Sequence, residues 1–277
     1  MHAAIKATTI NIIKIYTFDE LPMTKKLHYQ QQGSGIDIIL IHGLLGSLEN
    51  LNMVAKSLKD NYRVTNIDVR NHGLSFHENS MTYRELAQDI VTLMEDIGIE
   101  SSHILGHSMG GKIAMELALE HSEKVEKLIV ADIAPVSYPS HHAHIIEGLQ
   151  SINVENIKSR KDADNQLSTF VDEVGIRQFL LRNLVIKDGK FNFKCNLDNI
   201  EKCYQQIMMK YQGDQKFTGE TLFIKGGNST YITTDHRDII KQLFPNSRAK
   251  IIQGAGHWLH AEKSTAFNKI VKDFLKS

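Results

Sequence analysis

The sequence predicts an α/β chain: a mostly parallel, doubly wound sheet with a helical segment inserted late in the order. Three observations predict it. Short apolar runs alternate with amphipathic helical patterns, a rhythm that produces a parallel sheet covered on both faces. One of those runs, Ser102–Leu105, feeds directly into Gly106-His107-Ser108-Met109-Gly110 and then a helical pattern. The rhythm then breaks between about Pro135 and Phe217, a stretch too long to be a plain loop.

Taken in order, residues 1–22 stand apart. Thr8–Phe18 is rich in Ile and Thr and is β-prone, while Lys6 and Lys14 interrupt it and no small-residue cleavage pattern follows. Two readings stay open, an added edge strand or an extension that the fold does not need. Lys25–Gln32 already supplies a first strand. Ile36–Ile41 is an apolar run suited to a buried parallel strand. Ser47–Leu58 places Leu48, Leu51, Val54, Ala55 and Leu58 at helical spacing. Arg63–Ile67 is a strand ending at Asp68. Tyr83–Ile97 is a helix with Leu86, Ile90, Leu93, Met94 and Ile97 on one face and Gly98 as its stop. Val125–Ala131, Thr221–Lys225 and Ala249–Gln253 are further strands, and Ala261–Leu275 is a closing helix.

The segment 135–217 reads as helices over Ser140–Ile152, Val154–Thr169, Glu173–Val185 and Asn196–Gln212, with one β-like piece at Phe191–Lys194. It is expected to cap the core formed by 23–134 and 218–277. Ligands of open parallel sheets bind outside the carboxyl ends of the strands, so a cap there shapes the pocket. His141, His142 and His144 lie in it, but their i, i+1, i+3 spacing does not converge on one ion, and a polar cap surface is expected.

Composition excludes whole classes of partner. The chain has 277 residues, with Lys+Arg and Asp+Glu both at 32. No net field favours nucleic acid or an anionic membrane, and no apolar run is long enough to cross a bilayer. The two cysteines, Cys195 and Cys203, form neither a disulfide framework nor a metal set, which fits a reducing compartment.

Chemistry concentrates at strand ends. Ser108 sits where G-x-S-x-G makes a nucleophile elbow, a strained strand-to-helix turn that lifts its hydroxyl above the sheet. Gly106 and Gly110 flank it because side chains there would collide with neighbouring backbone. The Met109 amide, at a helix N-terminus, faces a developing oxyanion. After Ile36–Ile41, the loop His42-Gly43-Leu44-Leu45-Gly46-Ser47 places the Leu44 amide as a second donor. His42 reads as a turn-stabilising histidine rather than a base. Asp68 and Arg70 either contact substrate or pair within their own loop. Gly254-Ala255-Gly256-His257 brings a histidine over the elbow, as a general base requires. Trp258, next to it, either walls the acyl pocket or packs ordinarily.

Together HGLLGS, DVRNHGLS, GHSMGGK, ADIAPVSY and KGGNSTY resemble the α/β-hydrolases, and within them the YbfF-type bacterial esterases, relatives of the ABHD-type serine hydrolases. The resemblance runs from about Lys25 to the end. It implies a cytoplasmic carboxylesterase with a helical cap, acting on short- to medium-chain acyl esters or acyl-CoA thioesters, without cofactor or metal, as a monomer or homodimer. Trp258 and the Met and Phe residues of the cap narrow the expected pocket toward short chains. Two other readings remain: a lyase of the menaquinone-pathway type, separated by product analysis, and a non-catalytic ligand-binding protein, separated by a fluorophosphonate probe. Aspartate-nucleophile dehalogenases and epoxide hydrolases are disfavoured by Ser108.

The third triad member is the unusual point. In many hydrolases of this fold the acid follows the strand after the cap, three residues beyond a glycine. Here that slot holds Ser229, which carries no charge. Asp235 lies six residues further, in the following helix, at doubtful reach. Asp132 ends the strand directly after the nucleophile helix, and a regularly wound sheet puts that strand beside the elbow strand. Asp132 is therefore the expected acid, otherwise a loop cap before Pro135. The YbfF-type resemblance points the same way, with Ser229 as a helper near the histidine.

Overall fold

A computed structural model describes residues 25–140 and 142–277; the expectations for residues 1–22 and for His141 lie outside the described residues. Among the described residues seven strands form the main sheet: β1 (Tyr29–Gln32), β2 (Ile36–Ile41), β3 (Tyr62–Ile67), β4 (Ser102–His107), β5 (Val125–Ala131), β8 (Glu220–Gly226) and β9 (Ser247–Ile252), while β6 (Leu184–Lys187) and β7 (Lys190–Phe193) form a separate hairpin. Their order is β1-β3-β2-β4-β5-β8-β9. Only β1 runs antiparallel. The elbow strand β4 is the centre of the sheet, flanked by β2 and β5.

Alternation along each central strand explains why the runs are apolar throughout. Ile39 and Ile41 of β2 face one core, with Ile104, Leu128 and Val130. Ile38 and Leu40 face the other, with Leu105 and Ile129. Each fully buried side chain of this size is worth about 1.5–3 kcal/mol relative to exposure, so apolar residues fill these positions on both faces. The first core is covered by α2 (Tyr83–Asp96) and α3 (Met109–Glu120). The second is covered by α1 (Asn52–Leu58) and a long C-terminal helix at Ser264–Lys276. A capping box starts α2: the Thr82 hydroxyl accepts from the Glu85 amide, and the Glu85 carboxylate accepts from the Thr82 amide.

Boundaries differ from the sequence reading where local chemistry intervenes. Ser47–Leu58 divides into a 3₁₀ turn at Leu48–Leu51 and α1. The C-terminal pattern splits at Lys263 into Leu259–Glu262 and Ser264–Lys276. The inserted segment departs most. It contains α4 (Ala143–Gln150), α5 (Arg160–Leu167), α6 (Val174–Leu180), α7 (Leu197–Lys202) and α8 (Tyr204–Met208). The helix expected over Val154–Thr169 begins only at Arg160, where Ser159 and Asp162 form a capping box. The helix expected over Glu173–Val185 ends at Leu180, and Leu184–Lys187 is strand β6, paired antiparallel with β7 (Lys190–Phe193). Asp188-Gly189 turns that hairpin with φ 51° and 77°, the left-handed pair that Asp-Gly supplies. The helix expected over Asn196–Gln212 breaks at Cys203 between α7 and α8. Among the described residues no helix is long and apolar enough to cross a membrane.

Candidate active site

The elbow is built by close backbone contact. Ser108 stands between β4 and α3 with φ 55° and ψ −121°, a sparsely populated conformation that persists only where the surroundings over-determine it. Its amide donates to the Ala131 carbonyl of β5 at 3.0 Å. A Cβ on Gly106 would lie 2.0 Å from the Gly110 carbonyl oxygen, and one on Gly110 would lie 2.2 Å from that of Ile41. Both contacts are with backbone, which cannot swing aside. Gly110→Ala is therefore expected to cost on the order of 3 kcal/mol and to lower Tm by roughly 10 °C, read by thermal denaturation. An unchanged melt would show that the β2–α3 approach is slack.

Three side chains from separate strand ends meet at the elbow. The Ser108 hydroxyl lies 3.0 Å from His257 Nε2. His257 Nδ1 lies 2.8 Å from Asp132 Oδ2. A carboxylate only accepts, so Nδ1 carries the proton and Nε2 is left bare toward Ser108. Asp132 is fully buried and compensated on every side. Its Oδ1 accepts from the Gly226 amide at 2.9 Å, and its Oδ2 accepts from the Ser229 hydroxyl as well as from His257. Ser229 thus touches the carboxylate rather than the histidine. Asp235 lies exposed in the turn Thr234–His236, and among the described residues no hydrogen bond joins it to His257.

Beside Ser108, a Cβ on Gly43 would lie 3.1 Å from that of the serine, which puts the Gly43–Leu44 loop against the elbow. Among the described residues no acceptor satisfies the amides of Leu44 or Met109. Two buried histidines hold this loop. His42 donates from Nδ1 to the Gly43 carbonyl at 2.8 Å and accepts the Val69 amide at Nε2, 3.1 Å. His72 donates to the Arg70 carbonyl and accepts the Leu45 amide at 3.1 Å. Burial pushes His72 down to about 3, so it stays a neutral acceptor. Asp68 accepts the amides of Leu48 and Leu74 and pairs with His28. Arg70 is bidentate to Asp89. Both residues are paired structurally, Asp68 tying its loop to Leu48 and His28 and Arg70 tying it to α2.

Sequence reasoning missed several contributors. Tyr231 stacks on His257 with ring centroids 4.0 Å apart, and its carbonyl accepts from the Tyr138 hydroxyl at 2.5 Å. His107 donates from Nε2 to the His257 carbonyl at 2.8 Å, and burial holds its pKa well below the usual range. Only the x of G-x-S-x-G marked His107. Tyr231 ends the KGGNSTY stretch, but nothing in that stretch points it at the histidine, because its role depends on the fold of the loop after β8. His142 turns inward, where a polar cap surface was expected, its ring nitrogens 3.0 Å from Tyr231 Oη and 3.3 Å from Tyr204 Oη; His144 is exposed.

A narrow cavity of about 30 Å³ lies at Ser108, walled by Leu44, Met109, Ile133, Ile207, Met208 and Tyr231 among others. Trp258 does not line it. Its ring packs 5.6 Å from Phe179 of α6 and 5.8 Å from His257. Among the described residues no three His, Cys, Asp or Glu side chains gather as metal ligands.

The sequence profile described as alpha/beta hydrolase fold matches residues 38–153. The chain is 41% identical over 246 residues to the mouse sn-1-specific diacylglycerol lipase ABHD11, spanning 86% of this chain and 80% of that one. It is 36% identical over 247 residues to Esterase YbfF of Escherichia coli K12, spanning 89% and 95%. A solved marine microorganism esterase superposes with a TM-score of 0.88 at 41% identity, covering 91% of this chain and all of the other. Identity at this level over most of both partners, on the same sheet, places the protein in the YbfF-type family of alpha/beta hydrolases.

Proposed function

We propose that this protein, a carboxylic ester hydrolase of that family, cleaves short- to medium-chain acyl esters, or acyl-CoA thioesters, through an acyl-enzyme on Ser108. The observation that carries this reading is the unbroken chain from the Ser108 hydroxyl through His257 to Asp132, beside two unsatisfied amides. His257 Nε2 takes the hydroxyl proton as Ser108 attacks the carbonyl. The amides of Leu44 and Met109 receive the oxyanion, where hydrogen bonds in a dry site are strongest. The imidazolium then protonates the leaving group, and Asp132 stabilises that cation and fixes the tautomer. Water, deprotonated by His257, attacks the acyl-serine and releases the acid. Ser229 and the Gly226 amide hold the Asp132 carboxylate in place.

Segment 135–217 acts as the cap, since Tyr138, His142, Ile207 and Met208 wall the Ser108 cavity from it. Relatives named esterase and diacylglycerol lipase support an ester substrate. Both cysteines are buried free thiols, which supports a cytoplasmic location. The deciding experiment is a chain-length series of p-nitrophenyl and acyl-CoA esters, alongside fluorophosphonate labelling. Butyryl esters are expected to turn over faster than palmitoyl esters, because the cavity is closed by side chains. Faster palmitoyl turnover would overturn the chain-length reading. Absence of both labelling and turnover would overturn the esterase reading.

A further inference from the structure

The Ser108 cavity does not stand alone. Helix α3 carries Met109, Lys112, Glu116 and Glu120 along one face, at the three- and four-residue spacing that aligns side chains. Three spaces follow that stripe. The inner one, at Ser108, includes Met109, Tyr83 and Lys112 in its wall. A second, of only about 10 Å³, is bounded by Tyr83, Lys112, Glu116 and Tyr211. A third, of about 590 Å³ and open to solvent, starts from Tyr83, Glu116 and Tyr211 and extends to Glu120. Neighbouring spaces share wall residues, so they line up along α3 as a route that side chains interrupt. From Met109 to Glu120 that route covers about 16 Å at the helical rise per residue.

Lys112 stands across it. The residue is 6% exposed. Its ammonium donates to the carbonyls of Met209 at 2.8 Å and Met208 at 3.4 Å. It also sits 4.9 Å from the centre of the Tyr138 ring and 5.4 Å from that of Tyr83. Among the described residues no carboxylate forms an ion pair with it. Burial pushes its pKa down to about 7. An acyl chain entering from Ser108 would have to displace this buried ammonium from two carbonyls and two ring faces, and a buried charge that loses its partners is costly.

Substrate orientation puts the acyl chain on this side. The leaving oxygen must face His257 Nε2 to receive its proton, and Tyr231, stacked on His257, marks that end of the cavity. The carbonyl oxygen faces the Leu44 and Met109 amides. The acyl chain then points away from His257, toward Lys112 one turn along α3 from Met109. We propose that Lys112 is a specificity-determining residue that ends the acyl pocket, separating the Ser108 cavity from the outer cavity beside Tyr211. The proposal rests on the ester-hydrolase reading of Ser108.

The test compares kcat/KM for p-nitrophenyl decanoate and p-nitrophenyl butyrate in the wild type, Lys112→Ala and Lys112→Met. Lys112→Ala opens the route and is expected to raise the decanoate-to-butyrate ratio by at least about tenfold, the scale on which pocket size discriminates. Lys112→Met keeps the length of the side chain but makes it uncharged and pliable, and a smaller rise is expected. Should the alanine variant not be recovered folded, the methionine variant decides. Equal losses on both esters, with the ratio unchanged, would show that Lys112 only anchors the Met208–Met209 segment, and would overturn the proposal. A wild type inert toward every ester would overturn the hydrolase reading itself.

Discussion

Ser108→Ala is expected to lower kcat for any p-nitrophenyl ester by about 10⁶, the scale of losing a covalent nucleophile from a triad. The substitution removes one oxygen and keeps the Cβ that already occupies the φ 55° position. The lost hydroxyl has its side-chain partner in His257. The amide bond to the Ala131 carbonyl and the helix start at Met109 depend on backbone alone. The melting temperature should therefore stay close to that of the wild type while fluorophosphonate labelling disappears. The two readouts separate chemistry from folding. Labelling that persists in the alanine variant, or turnover within about tenfold of the wild type, would move the nucleophile elsewhere.

Asp132→Asn is expected to lower kcat by about 10³–10⁴, as when a triad acid is neutralised. The carboxylate accepts three hydrogen bonds, from the Gly226 amide, the Ser229 hydroxyl and His257 Nδ1. An amide of the same shape has only one oxygen to offer. If that oxygen faces the Gly226 amide, the NH₂ group meets His257 Nδ1 and forces the proton to Nε2. The histidine then has no lone pair for the Ser108 hydroxyl. Asp235→Asn should cost less than about tenfold, because Asp235 lies exposed in its turn. The pair is measured on one ester with circular dichroism as the fold control. A crippled Asp235→Asn beside a nearly silent Asp132→Asn would return the acid to the strand after the cap. Ser229→Ala tests the same arrangement more gently, since it removes one of three donors and leaves the charge.

The sequence by itself determined the sheet, because a central parallel strand is covered on both faces and reads as a near-continuous apolar run. Ile36–Ile41 and Val125–Ala131 were legible to the residue. The elbow was legible for a steric reason: Gly106 and Gly110 are demanded by backbone atoms within 2.2 Å of any added Cβ. In the inserted segment the helices run only five to eight residues, too short for the period to mark their ends. The Asp188-Gly189 turn was there to be read, yet the apolar pattern around Leu184 satisfied a helix as well as a strand.

Tertiary structure alone decided which groups meet. Asp132, Ser229 and His257 come from three segments and converge because β5, β8 and β9 are neighbours in that order, so the loops after β8 and β9 reach the end of β5. No local pattern places Tyr231 on the face of His257, or the Tyr138 hydroxyl beneath the Tyr231 carbonyl. Nor does one set a buried lysine between two cavities, since Lys112 reads as an ordinary polar residue after two glycines until α8 and the Met208–Met209 carbonyls close over it. Backbone sterics and apolar periodicity act over a few residues and can be read along the chain. The pairing of buried charge with its partners depends on sheet order, which only the packed fold establishes.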